Sequence, residues 1–447
     1  MTARVPLSGW GRTAPTMAKV VPASSDEQLV EAVQSAGTRG VLARGLGRSY
    51  GDAAQNAGGV VLDLLGRDRV LEVDRSTGVI EVEAGISLDR LMRDFVPQGW
   101  FVPVTPGTRA VTVGGAIGSD IHGKNHHRAG TWTQHVRSLD LLTGTGEIRT
   151  LTPDDELFWA CAGGMGLTGV ILRARVALTP IESAFCTVDT QRCANLDGLL
   201  EAMADDDDYE FSVAWVDCLA KGEALGRSVL TRGRFAGRDE LPEKKQADPL
   251  AFNPRTPFTA PRGIPTGLLN KYSVAAFNEA WFRKAPARRD EEIQSITTFF
   301  HPLDAVADWN RIYGSGGLLQ YQVVVPEGAE DVIRSCIDAF SHAGVASFLA
   351  VLKRFGPANR GHLSFPMGGW TLALDVPASV AGLADLLDRL DEQVLAVGGR
   401  GYLAKDSRMT PELVRAMYPG LTRWQELRDE VDPNHVFQSD LARRLKL

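Results

Sequence analysis

The sequence predicts an α+β fold, and three observations carry that prediction. Short apolar or alternating runs that suit strands are interspersed with capped amphipathic helices along the first 180 residues. Three glycine-rich stretches interrupt that alternation, at residues 44–52, 106–127 and 163–169. From residue 319 on, the pattern reads β-α-β-β-α-β, a compact sheet with helices on one face.

A chain of 447 residues has room for two or three units of about 150 residues each. Its 48 Lys and Arg against 55 Asp and Glu leave a net charge of −7 without a long basic run, which argues against a nucleic acid held by electrostatics. Apolar residues at 44% and charged residues at 23% match a folded protein and exclude a disordered or fibrous one. The five cysteines, Cys161, Cys186, Cys193, Cys218 and Cys336, are scattered, odd in number and lack a C-x-x-C spacing, so neither a disulfide framework nor a structural zinc site fits. Residues 1–21 carry polar residues, Gly and Pro where a signal peptide needs an unbroken apolar core, and no later stretch reaches about 18 consecutive apolar residues. A spanning helix is therefore not expected, while attachment to a membrane surface stays open.

Taking the elements in order, Ser25 caps a helix that starts at Asp26 and Glu27 and presents Leu29, Val30 and Val33. The short strand Val41-Leu42-Ala43 then runs into Arg44-Gly45-Leu46-Gly47-Arg48-Ser49-Tyr50-Gly51-Asp52. Glycines at 45, 47 and 51 permit a tight backbone whose amides wrap an anion, and Arg44 and Arg48 add positive charge. On this loop alone two readings stand, a phosphate cradle and an ordinary glycine-rich turn. Strands are expected at residues 59–64 and 79–84, the second with Ile80, Val82 and Ala84 inward and Glu81 and Glu83 toward water. Ser87 caps a helix whose Leu88, Leu91, Met92 and Phe95 form a core stripe.

The second stretch holds Pro106-Gly107-Thr108 and then Thr112-Val113-Gly114-Gly115-Ala116-Ile117-Gly118-Ser119-Asp120-Ile121-His122-Gly123-Lys124-Asn125-His126-His127. Small residues let the backbone approach a flat ligand, with exposed amides for its phosphates. His122, His126 and His127 lack acidic or thiol partners at metal spacing, and a strand would point His126 and His127 oppositely, so no metal is expected. The third stretch contains a literal G-x-G-x-x-G at 164, 166 and 169, but a helix precedes it (residues 156–161) and a strand follows (residues 170–176). That order is the reverse of a nicotinamide-dinucleotide fingerprint. Cys161 in that helix reads as core.

Together the three stretches resemble the flavin-binding domain of the vanillyl-alcohol-oxidase-type superfamily. Longer strings, Gly9-Trp10-Gly11-Arg12, the loop at 44–52, Ile121-His122-Gly123-Lys124-Asn125-His126-His127 and Ala404-Lys405-Asp406-Ser407-Arg408, are similar to the decaprenylphosphoryl-β-D-ribose 2′-oxidase family, and the likeness extends to Asp432-Pro433 and Phe437-Gln438-Ser439-Asp440. The resemblance implies an FAD-binding domain of two α+β subdomains over residues 1–180, a substrate domain on an antiparallel sheet over 181–400, and a C-terminal return to the FAD domain over 401–447. Carried across by motif position, the FAD contacts are Arg44, Gly45, Leu46, Gly47, Arg48, Ser49, Tyr50, Gly51, Asp52, Ala53, Gly107, Thr112, Val113, Gly114, Gly115, Ser119, His122, Ile171 and Tyr402. Superfamily members that bond FAD covalently through the first loop have His where this chain has Arg48, so the resemblance implies non-covalent FAD.

The second half yields its pattern without the family. Strands are expected at residues 320–325, 348–355, 370–376 and 401–404, with helices bearing Val332, Ile333, Cys336, Ile337 and Phe340, and Leu383, Leu386, Leu387, Leu390, Val394 and Val397. Period 2 groups Gln320 with Gln322, Leu349 with Val351 and Lys353, and Thr371 with Ala373 and Asp375. Lys353 in an apolar strand reads either as a snorkelling edge residue or as a cation on a pocket floor. The resemblance favours the second and places substrate contacts at Gln320, Gln322, Lys353, Thr371 and Lys405. Thr371 and Ala373 stand where family members have Asn and Cys, and Phe300 stands where they have Tyr, which leaves the exact sugar open and excludes cysteine chemistry at 373. The proline-rich stretch at 235–269 reads as a loop, either over the active-site mouth or as a surface insertion.

The resemblance further implies oxidation of the ribofuranose 2′-hydroxyl of a polyprenyl-phosphoryl ribose, with Lys405 first and His122 second as catalytic residues. It implies as partner a separate NAD(P)H-dependent keto-reductase that completes epimerisation to the arabinose donor of cell-wall arabinan. The lack of a signal-peptide pattern favours the cytoplasm or a membrane face, and analogy with relatives leaves the periplasmic side open. An oxidase of free sugars, alditols or aldonolactones using O₂ is the alternative, with the same FAD loops.

Overall fold

The computed structural model describes residues 3–204 and 206–447. The first sheet comprises β1 (Arg4–Leu7), β2 (Thr16–Pro22), β3 (Val41–Arg44) and β4 (Val60–Asp63) in the order β1-β2-β4-β3, parallel except for β1. Helix α1 (Asp26–Gln34) is capped as expected: Ser25 Oγ accepts the Gln28 N–H at 3.3 Å. Its Leu29 and Val33 share a core with Val41 and Leu62.

The second sheet is antiparallel, order β5-β6-β10-β8-β9, from β5 (Val70–Asp74), β6 (Val79–Glu83), β8 (Val136–Leu142), β9 (Ile148–Leu151) and β10 (Val170–Ala177). The stripe on α2 (Leu88–Phe95) is fully buried beside α3 (Val113–Gly118), α5 (Glu156–Cys161) and β7 (Trp100–Phe101). Two expectations change here. Glu83 is buried rather than wet, because Arg67 and Arg69 lie 3.7 and 3.0 Å from its carboxylate. His126 and His127 open a short helix, α4 (His126–Ala129), rather than lying in a strand.

The third sheet has eight strands, ordered β16-β12-β14-β13-β19-β20-β18-β21, with every neighbouring pair antiparallel. After the short β11 (Thr179–Pro180), which pairs with β7, the chain lays down β12 (Phe185–Cys193), α6 (Leu196–Ala204), β13 (Phe211–Val216) and β14 (Ser228–Phe235). It returns through α7 (Glu243–Gln246), β15 (Phe258–Thr259) and α8 (Lys271–Lys284) to β16 (Arg288–Ser295), then α9 (Ile296–Phe300) and β17 (Val306–Ala307). The expected β-α-β-β-α-β is the other half: β18 (Leu318–Val325), α10 (Glu330–Ala343), β19 (Ala350–Phe355), β20 (Gly369–Pro377), α11 (Leu383–Ala396) and β21 (Arg400–Gly401). Side chains of α6, α10 and α11 bury one face of the sheet in a continuous core that includes Leu199, Met203, Ile333, Cys336 and Leu387. The last strand ends at Gly401, not at residue 404. The proline-rich stretch is less bare than expected, since β14 runs to Phe235 and β15 pairs in parallel with β17.

Helices α12 (Pro411–Met417), α13 (Leu421–Val431) and α14 (Asp440–Leu445) close the chain; their buried faces join the core of the eight-stranded sheet, and the link between α13 and α14 meets the first sheet. Val41 bridges to Phe437, and Arg444 pairs with Asp52 at 2.7 Å. All five cysteines are buried thiols. Among the described residues, no helix is long and apolar enough to cross a membrane.

Candidate active site

A cavity of about 1190 Å³ separates the glycine loops from the open face of the eight-stranded sheet. It is lined by most residues that the sequence singled out: Arg44, Gly45, Leu46, Gly47, Arg48, Ser49, Tyr50, Ala53, Gly107, Thr112, Gly114, Gly115, Ser119, His122, Ile171 and Tyr402 on the loop side, and Gln320, Gln322, Lys353 and Lys405 on the sheet side. Gly51, Asp52, Val113 and Thr371 do not line it. Gly51 packs against the Asp406 backbone so closely that a Cβ would overlap the Asp406 carbonyl oxygen. Asp52 is spent on Arg444, and Val113 lies in the core of the second sheet. Thr371 sits behind the wall, donating to the Val323 carbonyl at 2.9 Å.

The loop wall is made of backbone. Among the described residues, none of the four amides of residues 46–49 has an acceptor within the protein, and Gly47 holds φ at +62°. Such a run of unpaired N–H groups is an anion site. The segment Gly9-Trp10-Gly11 braces it from outside: Trp10 N donates to Ser49 O at 2.7 Å and Gly11 N to Tyr50 O at 2.9 Å. The Arg48 guanidinium stacks 3.9 Å over the Trp10 ring. The Arg44 guanidinium is held by the carbonyls of Ser8 and Ala54 and packs against Gly47, where a Cβ would overlap it. It therefore props the loop. The second glycine stretch differs from expectation, because Val113, Gly114 and Gly115 already donate to Ile86 O, Ala84 O and Thr112 Oγ1. Its glycines serve close approach instead: a Cβ on Gly114 would sit 3.1 Å from the Ala84 Cβ, and one on Gly107 would meet only open space. These features fit a dinucleotide: unpaired amides for its phosphates, and flat glycine walls for its ring.

The sheet wall is made of side chains, and register brings them together. Gln322 of β18 lies opposite Ala373 of β20, Ala373 opposite Val351 of β19, Val351 opposite Trp215 of β13, and Trp215 opposite Val229 of β14. This single row crosses five strands, about 19 Å, and turns from polar to apolar along the way. Gln320 and Asp375 form the neighbouring pair, joined by a hydrogen bond from the Gln320 amide to the carboxylate. Trp215, Val229 and Lys124 line the cavity although no sequence argument singled out Trp215 or Val229.

Three lysines converge here with depressed pKa values. Burial lowers Lys124 to about 7, aided by Lys353, while its ammonium bonds the Phe299 carbonyl and lies 4.0 Å from the Phe299 ring centroid. Burial lowers Lys353 to about 8. Burial also lowers Lys405 to about 8, with Lys353 pushing further down and Asp375 pulling up. Burial raises Asp375 to about 7 against the Gln320 amide, Lys405 and Tyr50. The Lys405 ammonium lies 4.0 Å from the Tyr50 ring centroid. Asp375 was grouped by period alone; its role shows only through Gln320 and Lys405.

His122 is neutral, its pKa driven well below the ordinary value by burial and then by Lys353. The Gln322 amide nitrogen lies 3.0 Å from His122 Nε2, so the imidazole accepts there and carries its proton on Nδ1. That Nδ1 has no partner among the described residues. His122 is thus a donor rather than a base. His126 Nδ1 accepts the Gly356 N–H at 3.1 Å and its ring packs on Phe355, while His127 Nε2 bonds the Tyr209 carbonyl at 2.8 Å. Cys161, pushed up to about 12 by burial and bonded by Thr168, is inert core.

Comparison with known proteins agrees with this geometry. An FAD binding domain model matches residues 17–152, and a D-arabinono-1,4-lactone oxidase model matches residues 379–445. The chain is 50% identical to the decaprenylphosphoryl-β-D-ribose oxidase of Mycolicibacterium smegmatis over 99% of this chain and 97% of the relative. It is 23% identical to L-gulono-1,4-lactone dehydrogenase of Mycobacterium tuberculosis over 95% of both chains, and 32% identical to cytokinin dehydrogenase 3 of Arabidopsis thaliana over 31% of this chain and 27% of the relative. Unpaired loop amides, a cavity roomy enough for a dinucleotide and near-full-length identity lead to one assignment: the chain belongs to the decaprenylphosphoryl-β-D-ribose oxidase family of FAD-binding oxidoreductases.

Proposed function

We propose that the protein oxidises the 2′-hydroxyl of decaprenylphosphoryl-β-D-ribofuranose to the 2′-ketone. The observation that carries the reading is that three buried lysines, Lys124, Lys353 and Lys405, line one cavity with a sheet row that becomes apolar toward Trp215 and Val229. A phosphorylated sugar with a prenyl chain needs cations at one end and an apolar track at the other.

FAD, when bound, supplies the acceptor for the hydride that leaves C2′. The amides of residues 46–49 hold its phosphates without a covalent bond, since position 48 is Arg. Lys124 and Lys353 hold the substrate phosphate. Lys405, in its neutral form, takes the proton from O2′ onto Nζ as the C2′–H bond breaks. Asp375 sets how much of Lys405 is neutral, and Gln320 orients Asp375. His122 offers its Nδ1–H to an oxygen of the bound ligands, with Gln322 fixing the tautomer. The ketone then passes to a separate NAD(P)H-dependent reductase. In domain terms, residues 1–180 hold FAD, 181–400 hold substrate, and 401–447 return Tyr402 and Lys405 to the cavity.

A second reading, oxidation of a free sugar, alditol or aldonolactone with O₂, draws on the lactone oxidase match at residues 379–445. A neutral lactone gives Lys124 and Lys353 nothing to neutralise, so we favour the phosphorylated substrate. Anaerobic mixing of the FAD-loaded protein with prenyl-phosphoryl ribose tests the choice. Flavin bleaching with that compound and not with free ribose or lactones is expected; bleaching by a lactone alone reverses the assignment.

A further inference from the structure

We infer that residues 255–286 form a collar that seats the cavity mouth on an anionic lipid bilayer. The inference takes its purpose from the prenyl-linked substrate proposed above, but its evidence lies outside the catalytic groups. Of the eleven large apolar side chains exposed among the described residues, five fall within 24 positions: Phe258, Leu268, Tyr272, Phe277 and Trp281, with Tyr272 75% and Phe258 66% exposed. Surfaces rarely concentrate large apolar groups in this way without a partner.

The helix in this segment is held down by polar anchors rather than by an apolar stripe. In α8 only Val274 and Asn278 are buried; the Asn278 amide donates to Asp217 at 2.7 Å, and Glu279 pairs with Arg227 at 2.7 Å. This leaves Phe277 and Trp281 stacked on each other at 6.1 Å with their outer surface in solvent. A leucine together with Trp and Tyr, exposed on one short stretch, is the composition of an interfacial element lying in the headgroup layer.

Charge selects the lipid. Residues 255–286 carry five Lys or Arg and one acid, in a chain whose net charge is −7. Arg255, Arg262, Lys271, Arg283 and Lys284 are all exposed. Basic side chains among exposed aromatics complement an anionic membrane surface. The collar is also continuous with the cavity, because Trp281 and Lys284 line its mouth and β15 pairs with β17, whose Val306 and Ala307 line it too. A chain leaving the apolar end of the sheet row therefore emerges beside the collar.

The test is sedimentation of the FAD-loaded full-length protein with phosphatidylcholine vesicles, with and without phosphatidylglycerol. Partition onto the anionic vesicles, weakened by salt, is expected. The triple variant Phe258→Ser, Leu268→Ser, Tyr272→Ser, which alters no cavity-lining residue, should lose at least about tenfold of that partition while keeping its melting temperature and its bleaching by a soluble short-chain prenyl-phosphoryl ribose. Failure to partition onto anionic vesicles, or equal partition of the triple variant, overturns the inference. So does loss of binding to a protein partner by the variant with no vesicle binding in either form. Partition without bleaching by any prenyl-phosphoryl ribose would remove the substrate reading and leave the docking surface standing.

Discussion

The two walls of the cavity are built from different materials. The loop wall is interlocked backbone: a Cβ on Gly9 would strike the Gly51 carbonyl, and one on Gly51 would strike that of Asp406. The sheet wall is a grid of side chains set by register, in which Ala373, Val351 and Trp215 occupy successive strands. The first wall binds by omitting side chains and leaves little freedom to vary. The second is set one side chain per strand, so that each position of the row, such as Ala373 or Val351, can change without a change in the backbone.

The two walls are expected to fail differently: damage to the sheet wall alters the binding and oxidation of substrate, and damage to the loop wall alters the fold and the holding of flavin. The largest effect expected is at Lys405. Lys405→Met should slow anaerobic flavin bleaching at saturating substrate by about 10²–10⁴-fold with flavin content unchanged, read by stopped-flow absorbance. Gly51→Ala should instead destabilise the fold by about 3 kcal/mol and lower flavin occupancy, read by thermal denaturation and by the ratio of flavin to protein absorbance. A smaller and differently shaped effect is expected at Lys353: Lys353→Met should raise KM about 10–100-fold while kcat stays within a few-fold. A variant of Lys353 that lowers kcat and leaves KM alone would move that lysine from holding the phosphate to the reacting centre.

The loop wall was legible in the sequence because glycine density is a local signal, and the string Arg44-Gly45-Leu46-Gly47-Arg48 carries it without help from distant residues. Even there the division of labour was hidden: which amides stay free depends on partners such as Ile86 and Ala84. The sheet wall was legible only where strands were recognised. Period 2 grouped Gln320, Gln322, Lys353 and Asp375, but the row through Trp215 and Val229 depends on pairing between strands more than 100 residues apart, which alternation within one strand does not encode. Thr371 shares its strand face with Ala373 yet lies behind Gln322. Glu83 alternated like a wet residue, but Arg67 and Arg69 fold over it. The C-terminal return of Lys405 to the cavity came from the family resemblance alone.

In the proposed reaction a buried, partly neutral Lys405, tuned by Asp375, receives the hydroxyl proton. The most direct measurement is the rate constant of anaerobic flavin bleaching at saturating substrate as a function of pH. Because burial lowers Lys405 to about 8 and only its neutral form accepts a proton, the rate should rise with pH through about 8 and then level. Asp375 pulls the Lys405 pKa up, so Asp375→Asn should move that rise to lower pH. A rate that is independent of pH, or that falls as pH increases through this range, would contradict the account.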